Sequence, residues 1–236
     1  MKILVTGSSG HLGEALMRTF RSHGRPAFGI DILPAEFTDE VGSIVDREFV
    51  RNCMQGVGAV IHSATLHKPH VVTHSRQNFV DTNITGTVNL LEEAADAGVS
   101  AFIFTSTTSA FGSALSPPAH APAAWITEDV RPVPRNIYGV TKTAAEDMCE
   151  LFHRKQRLPC LILRTSRFFP EEDDRPRYAK ATKTPTQRST RFSIGGWTWR
   201  MWSARICWRS RRPVKLDSGD TLSALQRRSL PAIWAH

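Results

Sequence analysis

The sequence is poor in features that would place it in a membrane, an oxidising compartment or a metal-built fold. It has four cysteines, Cys53, Cys149, Cys160 and Cys207, with neither paired spacing nor metal-ligand spacing. They read as reduced thiols, and cytoplasmic location is the expectation. No apolar run approaches the length of a transmembrane helix, so no membrane partner is expected. Met1-Lys2 leads straight into an apolar strand pattern, so no signal or transit segment is expected. The 236 residues suit one domain, or one large domain with an appendage.

What is present begins at once. Ile3, Leu4 and Val5 have strand character and end in a turn carrying Gly7, Gly10 and Gly13. Leu12, Ala15, Leu16, Thr19 and Phe20 then recur at helical spacing up to a stop at Gly24. A strand, a glycine turn and a helix in succession form a phosphate cradle. The glycines admit close backbone approach, and the first N–H groups of the helix point at an anion. The spacing is Gly-x-x-Gly-x-x-Gly rather than Gly-x-Gly-x-x-Gly. A second strand over 27–30 ends in Asp31, about 20 residues on, placed to accept hydrogen bonds from ribose hydroxyls. Ile32 and Leu33 follow, so no adjacent cation is available for a 2′-phosphate, which favours NAD over NADP.

Further strands are predicted over 43–45, ending in Asp46, over 59–61 running into His62-Ser63-Ala64, over 101–104 and over 160–163. Helices are predicted over 47–55, over 78–97 and from about Tyr138 to Lys155. In the second of these, Val80, Ile84, Val88, Leu91 and Ala95 share a face. Alternating strands and helices predict an α/β fold whose parallel sheet is covered on both faces. Ligands in such sheets sit beyond the carboxyl ends of the strands. Asp31, Asp46, His62, Thr107 and Arg164 lie at such ends and read as one crevice.

The chemistry is expected in Tyr138-Gly-Val-Thr-Lys142. Residues four apart share a helix face, so phenol and ammonium are neighbours. A free phenol, with a pKa of about 10, transfers protons poorly at neutral pH. A nearby ammonium favours phenolate, making Tyr138 a candidate general acid/base. A hydroxyl from the 105–109 run could hold the substrate's carbinol or carbonyl oxygen.

Together these residues resemble the extended short-chain dehydrogenase/reductase family, the NAD-dependent epimerase/dehydratase group. The matches are Thr6-Gly-x-x-Gly-x-x-Gly13, Asp31, Asp46, His62-Ser-Ala64, Asn83 with Gly86-Thr-Val-Asn-Leu90, Thr105-Ser-Thr107, Phe111-Gly112, Tyr138-x-x-x-Lys142 and Leu163-Arg164. They cover Met1 to about Pro170. The resemblance implies a Rossmann-like doubly wound sheet, NAD as cofactor and a small-molecule substrate. Gly7, Gly10, His11, Leu12 and Gly13 would hold pyrophosphate, Asp31 the ribose and Asp46 the adenine amino group. His62, Ser63, Ala64, Asn83 and Thr105 would complete the cofactor site. Thr107 would take the serine/threonine role, Tyr138 that of acid/base, and Lys142 would also hold the nicotinamide ribose. The implied activity is that of an oxidoreductase or epimerase on a secondary alcohol or ketone: a sugar, sugar nucleotide or hydroxy acid. Association into a homodimer is left open.

The chain departs from the pattern after the sixth strand. The family often has Arg-x-x-Asn-x-Tyr-Gly-Pro, whereas this chain has Arg164-Thr-Ser-Arg167-Phe-Phe-Pro170. The asparagine helps hold substrate in sugar-nucleotide epimerases. His67-Lys68-Pro-His70 and His74 lie where substrate would sit, and Arg167 with His67 and Lys68 would suit a carboxylate or phosphate. No metal is expected there.

The composition then breaks. Residues 1–174 carry 16 Lys/Arg against 20 Asp/Glu, and residues 175–236 carry 14 against 2, with five of the six tryptophans. No helix or strand period persists in this tail. A nucleic-acid appendage is one reading, since interleaved Arg and Trp could grip phosphates and stack on bases. Back-translation supplies the preferred one. Taking each codon one base earlier, Trp197-Thr198 forces Asp and Met201-Trp202 forces Val. With suitable free bases, residues 197–210 become an amphipathic family-like string. A frame slip near codons 174–182 is therefore expected, leaving an NAD-binding domain over 1–174 and an irregular, poorly packed tail over 175–236. The basic charge then carries no implication of a nucleic-acid partner. Such a chain would have impaired turnover, and its alternative is a non-enzymatic NAD-binding or sensing module.

Overall fold

A computed structural model describes residues 1–120, 122, 124–127 and 130–166, and the backbone of residues 190–194 and 197–201. Strands β1 (Lys2–Thr6), β2 (Ala27–Asp31), β3 (Glu40–Val41), β4 (Val57–His62), β5 (Ala101–Thr107) and β6 (Cys160–Thr165) form one sheet in the order β3-β2-β1-β4-β5-β6. Every pairing in it is parallel. The order reverses between β1 and β4, so the loops leaving these strands part there and open a crevice.

Strand alternation divides the core in two. Leu4, Val60, Phe102, Phe104 and Ile162 face one way and pack with Val50, Leu90, Leu91, Ala94, Ala145 and Cys149 from α2 (Arg47–Cys53), α4 (Gly86–Asp96) and α5 (Ile137–Gln156). Ile3, Val5, Ala59, Ile61, Ala101 and Ile103 face the other way, against Met17 and Phe20 of α1 (His11–Ser22). The sheet is covered on both faces, and the expected Rossmann-like doubly wound architecture is what the chain adopts.

Three local expectations are corrected. The third strand is Glu40–Val41 and not 43–45. Asp46 caps α2, its Oδ1 accepting the N–H groups of Glu48 and Phe49, so the chain turns into the helix there. The helix expected over 78–97 divides into α3 (Arg76–Val80), a π turn (Asp81–Thr85) and α4. Phe79, Asn83, Thr87, Leu90, Leu91 and Ala94 are buried, a face displaced by one residue from most of the expected one, and the displacement is already present at Phe79, ahead of the π turn. In the tail, β7 (Thr190–Ile194) and β8 (Trp197–Met201) pair antiparallel, Thr190 opposite Met201, where no strand pattern was expected. Phe192 and Ile194, then Trp197, Trp199 and Met201, alternate around Gly195-Gly196 in the sequence, a hairpin signature. Arg167 lies outside the described residues.

Candidate active site

The crevice is built from the carboxyl ends of β1, β2, β4 and β5. At its β1 side, Gly7 has a φ of +75°, and a Cβ there would come within 2.7 Å of Ala64 N. A Cβ on Gly13 would lie 2.0 Å from Gly7 O. These two glycines let backbone pack on backbone. Gly10 differs: its Cβ would meet only Gly7 O, at 3.2 Å. It is exposed, it is the N-cap of α1, and no side chain caps that helix. Gly10, His11 and Leu12 therefore present a helix start that a pyrophosphate can approach. Asp31 ends β2, its Oδ2 accepting the Ser9 N–H at 3.0 Å and its Oδ1 that of Leu33 at 3.0 Å. The ribose-binding candidate is thus fixed against the glycine turn. Ile32 and Leu33 beside it are exposed. Asp46 is exposed at the start of α2.

Beyond β4, Ser63 and Ala64 donate their N–H groups to Thr6 Oγ1, at 3.2 and 3.1 Å, and Ser63 Oγ donates to Thr6 O at 2.6 Å. The His62 ring turns inward, away from any ligand. Its Nδ1 lies 2.8 Å from Thr6 Oγ1 and its Nε2 3.0 Å from Thr87 Oγ1. Burial, and then the charge of Lys142, hold it well below the ordinary imidazole range. Asn83, in the π turn, ties the next loop down. Its Oδ1 accepts from Leu66 N and Thr65 Oγ1, and its Nδ2 donates to Leu66 O and Thr141 Oγ1. Thr105 shares by alternation the face of Ile103, opposite to Ser106 and α5.

Thr107, Tyr138 and Lys142 come together where β5 ends beside the start of α5, all three buried. The side chain of Asn136 caps α5 by accepting the Gly139 N–H at 3.0 Å, which fixes the first turn and with it Tyr138. The Tyr138 phenol hydrogen-bonds to Thr107, and Thr107 Oγ1 accepts the Ser109 N–H at 3.1 Å.

The electrostatics differ from the expectation that Lys142 pulls the phenol down. Burial raises the Tyr138 pKa, and the group that opposes the rise is Thr107. Lys142 is itself desolvated, its pKa lowered to about 7 by burial against the attraction of Glu146. Its Nζ lies 4.1 Å from the centroid of the Phe104 ring. A lysine so close to neutrality carries only part of its charge at pH 7, which weakens its pull on the phenol.

Glu146 went unassigned in the sequence, and Arg164, expected to line the crevice, is buried behind it instead. Glu146 follows Lys142 by four residues, hence on the same helix face, and is fully buried. It accepts from Ser106 Oγ and from the guanidinium of Arg164, which lies over Phe111. This buried ion pair locks α5 to β5 and β6 directly behind the site. The recurrence Tyr138, Lys142, Glu146 on one face was the available signal.

The loop after β4 carries a ladder of imidazoles: His67 and His70 are 4.4 Å apart by ring centroid, His70 and His74 5.0 Å. Lys68 begins the short 3-10 turn there and is exposed. Among the described residues no group of three or more His, Cys, Asp or Glu could hold a metal ion, and no helix is long and apolar enough to cross a membrane.

Comparison with known proteins bears on the family and the fold. An NAD-dependent glucose-6-phosphate dehydrogenase of Haloferax volcanii is 31% identical over 170 residues, covering 64% of this chain and 62% of its own. The fold superposes on an NAD-bound short-chain dehydrogenase/reductase superfamily protein of Agrobacterium tumefaciens, with TM-score 0.62 and 30% identity, covering 70% of this chain and 49% of that one. It also superposes on a UDP-glucose 4-epimerase of Thermotoga maritima with UDP-glucose, with TM-score 0.65 and 26% identity, covering 74% and 58%. The chain thus spans roughly half the length of the proteins it resembles. The model of the NAD dependent epimerase/dehydratase family matches residues 3–208, from the glycine turn through the tyrosine–lysine helix and beyond, and the chain belongs to that family.

Proposed function

We propose that the crevice binds NAD and serves an oxidoreductase or epimerase reaction at a secondary alcohol or ketone of a sugar, sugar nucleotide or hydroxy acid. The single observation that carries this reading is the meeting of Thr107, Tyr138 and Lys142 at the β5 end of a crevice whose other wall is the open glycine turn. The residues fit the cofactor: Gly10 leaves room at the start of α1, and Asp31 is oriented toward the same turn. Gly7, Gly10, His11, Leu12 and Gly13 would hold the pyrophosphate, Asp31 the adenosine ribose, Asp46 the adenine, and Ser63, Ala64 and Lys142 the inner half. When bound, NAD supplies the hydride chemistry.

The chain's own residues manage the proton. Thr107 holds the substrate oxygen and hydrogen-bonds the Tyr138 Oη. Tyr138 takes the proton from a carbinol, or gives it to a carbonyl, at that atom. Burial keeps the phenol protonated at rest, so it is set to donate to a carbonyl oxygen. Lys142 stabilises the phenolate once the proton has left. His67 and Lys68 would meet an anionic group on the substrate.

The test is titration with NAD, then turnover on a panel of sugars, sugar phosphates, nucleotide sugars and hydroxy acids. Tyr138→Phe should bind NAD with unchanged affinity and lose all turnover. Turnover that survives Tyr138→Phe refutes the mechanism.

A second reading, favoured by the composition break at residue 175, is an NAD-binding module whose substrate half is out of frame. The family match runs to residue 208 and so crosses that boundary. This reading expects NAD binding without turnover and a single inserted or deleted base near codons 174–182. An intact coding frame with full turnover refutes it.

A further inference from the structure

We propose that His62 is a positioning residue for the cofactor crevice: as the Nε2–H tautomer it orients the Thr6 hydroxyl, which in turn fixes the Ser63 and Ala64 amides opposite Gly7. The affinity arm of this proposal rests on the NAD reading above; the hydrogen-bond arm does not.

The assignment follows from counting donors and lone pairs. Thr6 Oγ1 has one proton and two lone pairs. The Ser63 and Ala64 N–H groups can only donate, and both point at this oxygen, at 3.2 and 3.1 Å. Both lone pairs are taken, so the hydroxyl proton must go to the remaining neighbour, His62 Nδ1 at 2.8 Å. Nδ1 is therefore an acceptor and carries no proton. A neutral imidazole then bears its proton on Nε2, which donates to Thr87 Oγ1 at 3.0 Å. Thr87 passes its own proton to Asn83 O at 2.8 Å, inside the π turn. Every donor in the chain finds an acceptor, and the chain has one direction.

A protonated ring breaks this order, because Thr6 Oγ1 would then face three donors with two lone pairs. The surroundings oppose protonation. His62 is 1% exposed, its ring lies against Phe102 and Phe104, and the Lys142 ammonium also lies against Phe104, 4.1 Å from that ring's centroid. Lys142 is the one charged group that acts on it among the described residues.

The consequence is geometric. The loops after β1 and β4 part at the place where the strand order reverses, and Thr6 Oγ1 is the clasp between them. The clasp holds Ala64 so close that a Cβ on Gly7 would lie 2.7 Å from its nitrogen. A cofactor laid across these loops meets a floor whose width Thr6 sets and His62 maintains. The same chain ends at Asn83, whose side chain reaches Thr141, the neighbour of Lys142 on α5. His62 thereby acts on the cofactor without touching it.

Three measurements test this. In 15N-histidine NMR, His62 should show an unprotonated Nδ1 and a proton on Nε2, unchanged from pH 8 to pH 5.5. A proton on Nδ1, or titration in that range, overturns the proposal. In His62→Phe, which keeps a ring but can neither donate nor accept, amide exchange should accelerate at Ser63 and Ala64 beyond its rise within β4. The NAD dissociation constant should rise about tenfold. The control is Leu158→Ala, a core change at the amino end of β6 and so at the opposite end of the sheet from the crevice, compared at a temperature where both variants are equally stable. It should leave NAD affinity within about twofold of the parent, on the additivity expected of distant sites. If the control loses as much affinity and its Ser63 and Ala64 amides exchange as fast, His62 is only a core residue. If the parent chain binds no NAD, the proposed function fails, and the exchange rates and tautomer still decide the role of His62. Should His62→Phe not fold, Thr87→Val removes the acceptor of Nε2–H and is read by the same exchange and affinity measurements.

Discussion

Replacing Lys142 by methionine should stabilise the folded chain while it destroys the chemistry. Methionine keeps most of the length and the apolar stem, and removes an ammonium that is 2% exposed. Burial lowers the lysine from its ordinary value of 10.5 to about 7, a downward shift of about 3.5 units. At about 1.4 kcal/mol per unit, the cost of keeping this lysine buried is on the order of 4–5 kcal/mol at low pH. The attraction of Glu146 is already contained in that figure, and Glu146 keeps Arg164 when Lys142 is gone. Allowing for a unit of error and for imperfect packing of the thioether, a gain of about 2–4 kcal/mol at pH 7 is expected.

The sign fixes the pH dependence. The unfolded chain holds the lysine proton up to pH 10.5 and the folded chain only to about 7, so between those values the unfolded state binds more protons. The stability of the parent therefore rises with pH across that window, and the methionine variant lacks this rise. The advantage of the variant should shrink by roughly 2 kcal/mol between pH 7 and pH 9. Urea denaturation of both proteins at pH 7, 8 and 9 reads it directly. A variant less stable than the parent at pH 7, or an advantage independent of pH, refutes the reasoning.

Other outcomes follow from the same geometry. Glu146→Gln leaves the Arg164 guanidinium buried beside a neutral amide and should cost about 3–5 kcal/mol of unfolding free energy in the same urea assay, as removal of one partner from a buried pair does. Gly13→Ala drives a methyl to within 2.0 Å of Gly7 O and should lower both stability and NAD affinity, measured by thermal melting and calorimetry. Gly10→Ala has only a 3.2 Å contact to relieve, so it should melt within a few degrees of the parent yet bind NAD more weakly; unchanged affinity would remove Gly10 from the pyrophosphate site. Asp31→Ala should narrow the preference for NAD over NADP, with NAD affinity falling by about tenfold or more for the loss of a charge-assisted hydrogen bond. Equal NAD and NADP affinities in the parent would refute its role.

Much of this protein is written locally, and that part was legible in the sequence. The glycine turn needs particular residues at fixed spacing, because backbone must touch backbone at Gly7 and Gly13. Apolar runs at 3–5, 59–61 and 101–104 could only be strands covered on both faces. Their succession with helices gave the parallel sheet, and the carboxyl ends of its strands gave the crevice. Tyr138 and Lys142 share a helix face through the period of the helix alone.

Tertiary structure decided what depends on partners distant in the chain. The buried face of the segment around Asp81–Thr85 was set by distant partners, because Asn83 reaches Thr141 and Thr87 reaches His62, and buried polar residues leave no mark in the apolar period. Whether a buried ammonium lowers a phenol's pKa, or loses its own proton first, depends on how deeply both are desolvated. Spacing carries no measure of that depth. His62 looked like a ligand at a strand end. Thr6 and Thr87, 56 and 25 residues away from it, made it an internal clasp. The sequence by itself determined which elements form and where ligands approach; only the packed fold decided which polar groups face the crevice and which hold its walls. Periodicity describes one element at a time, whereas hydrogen-bond satisfaction inside a core is settled among all of them at once.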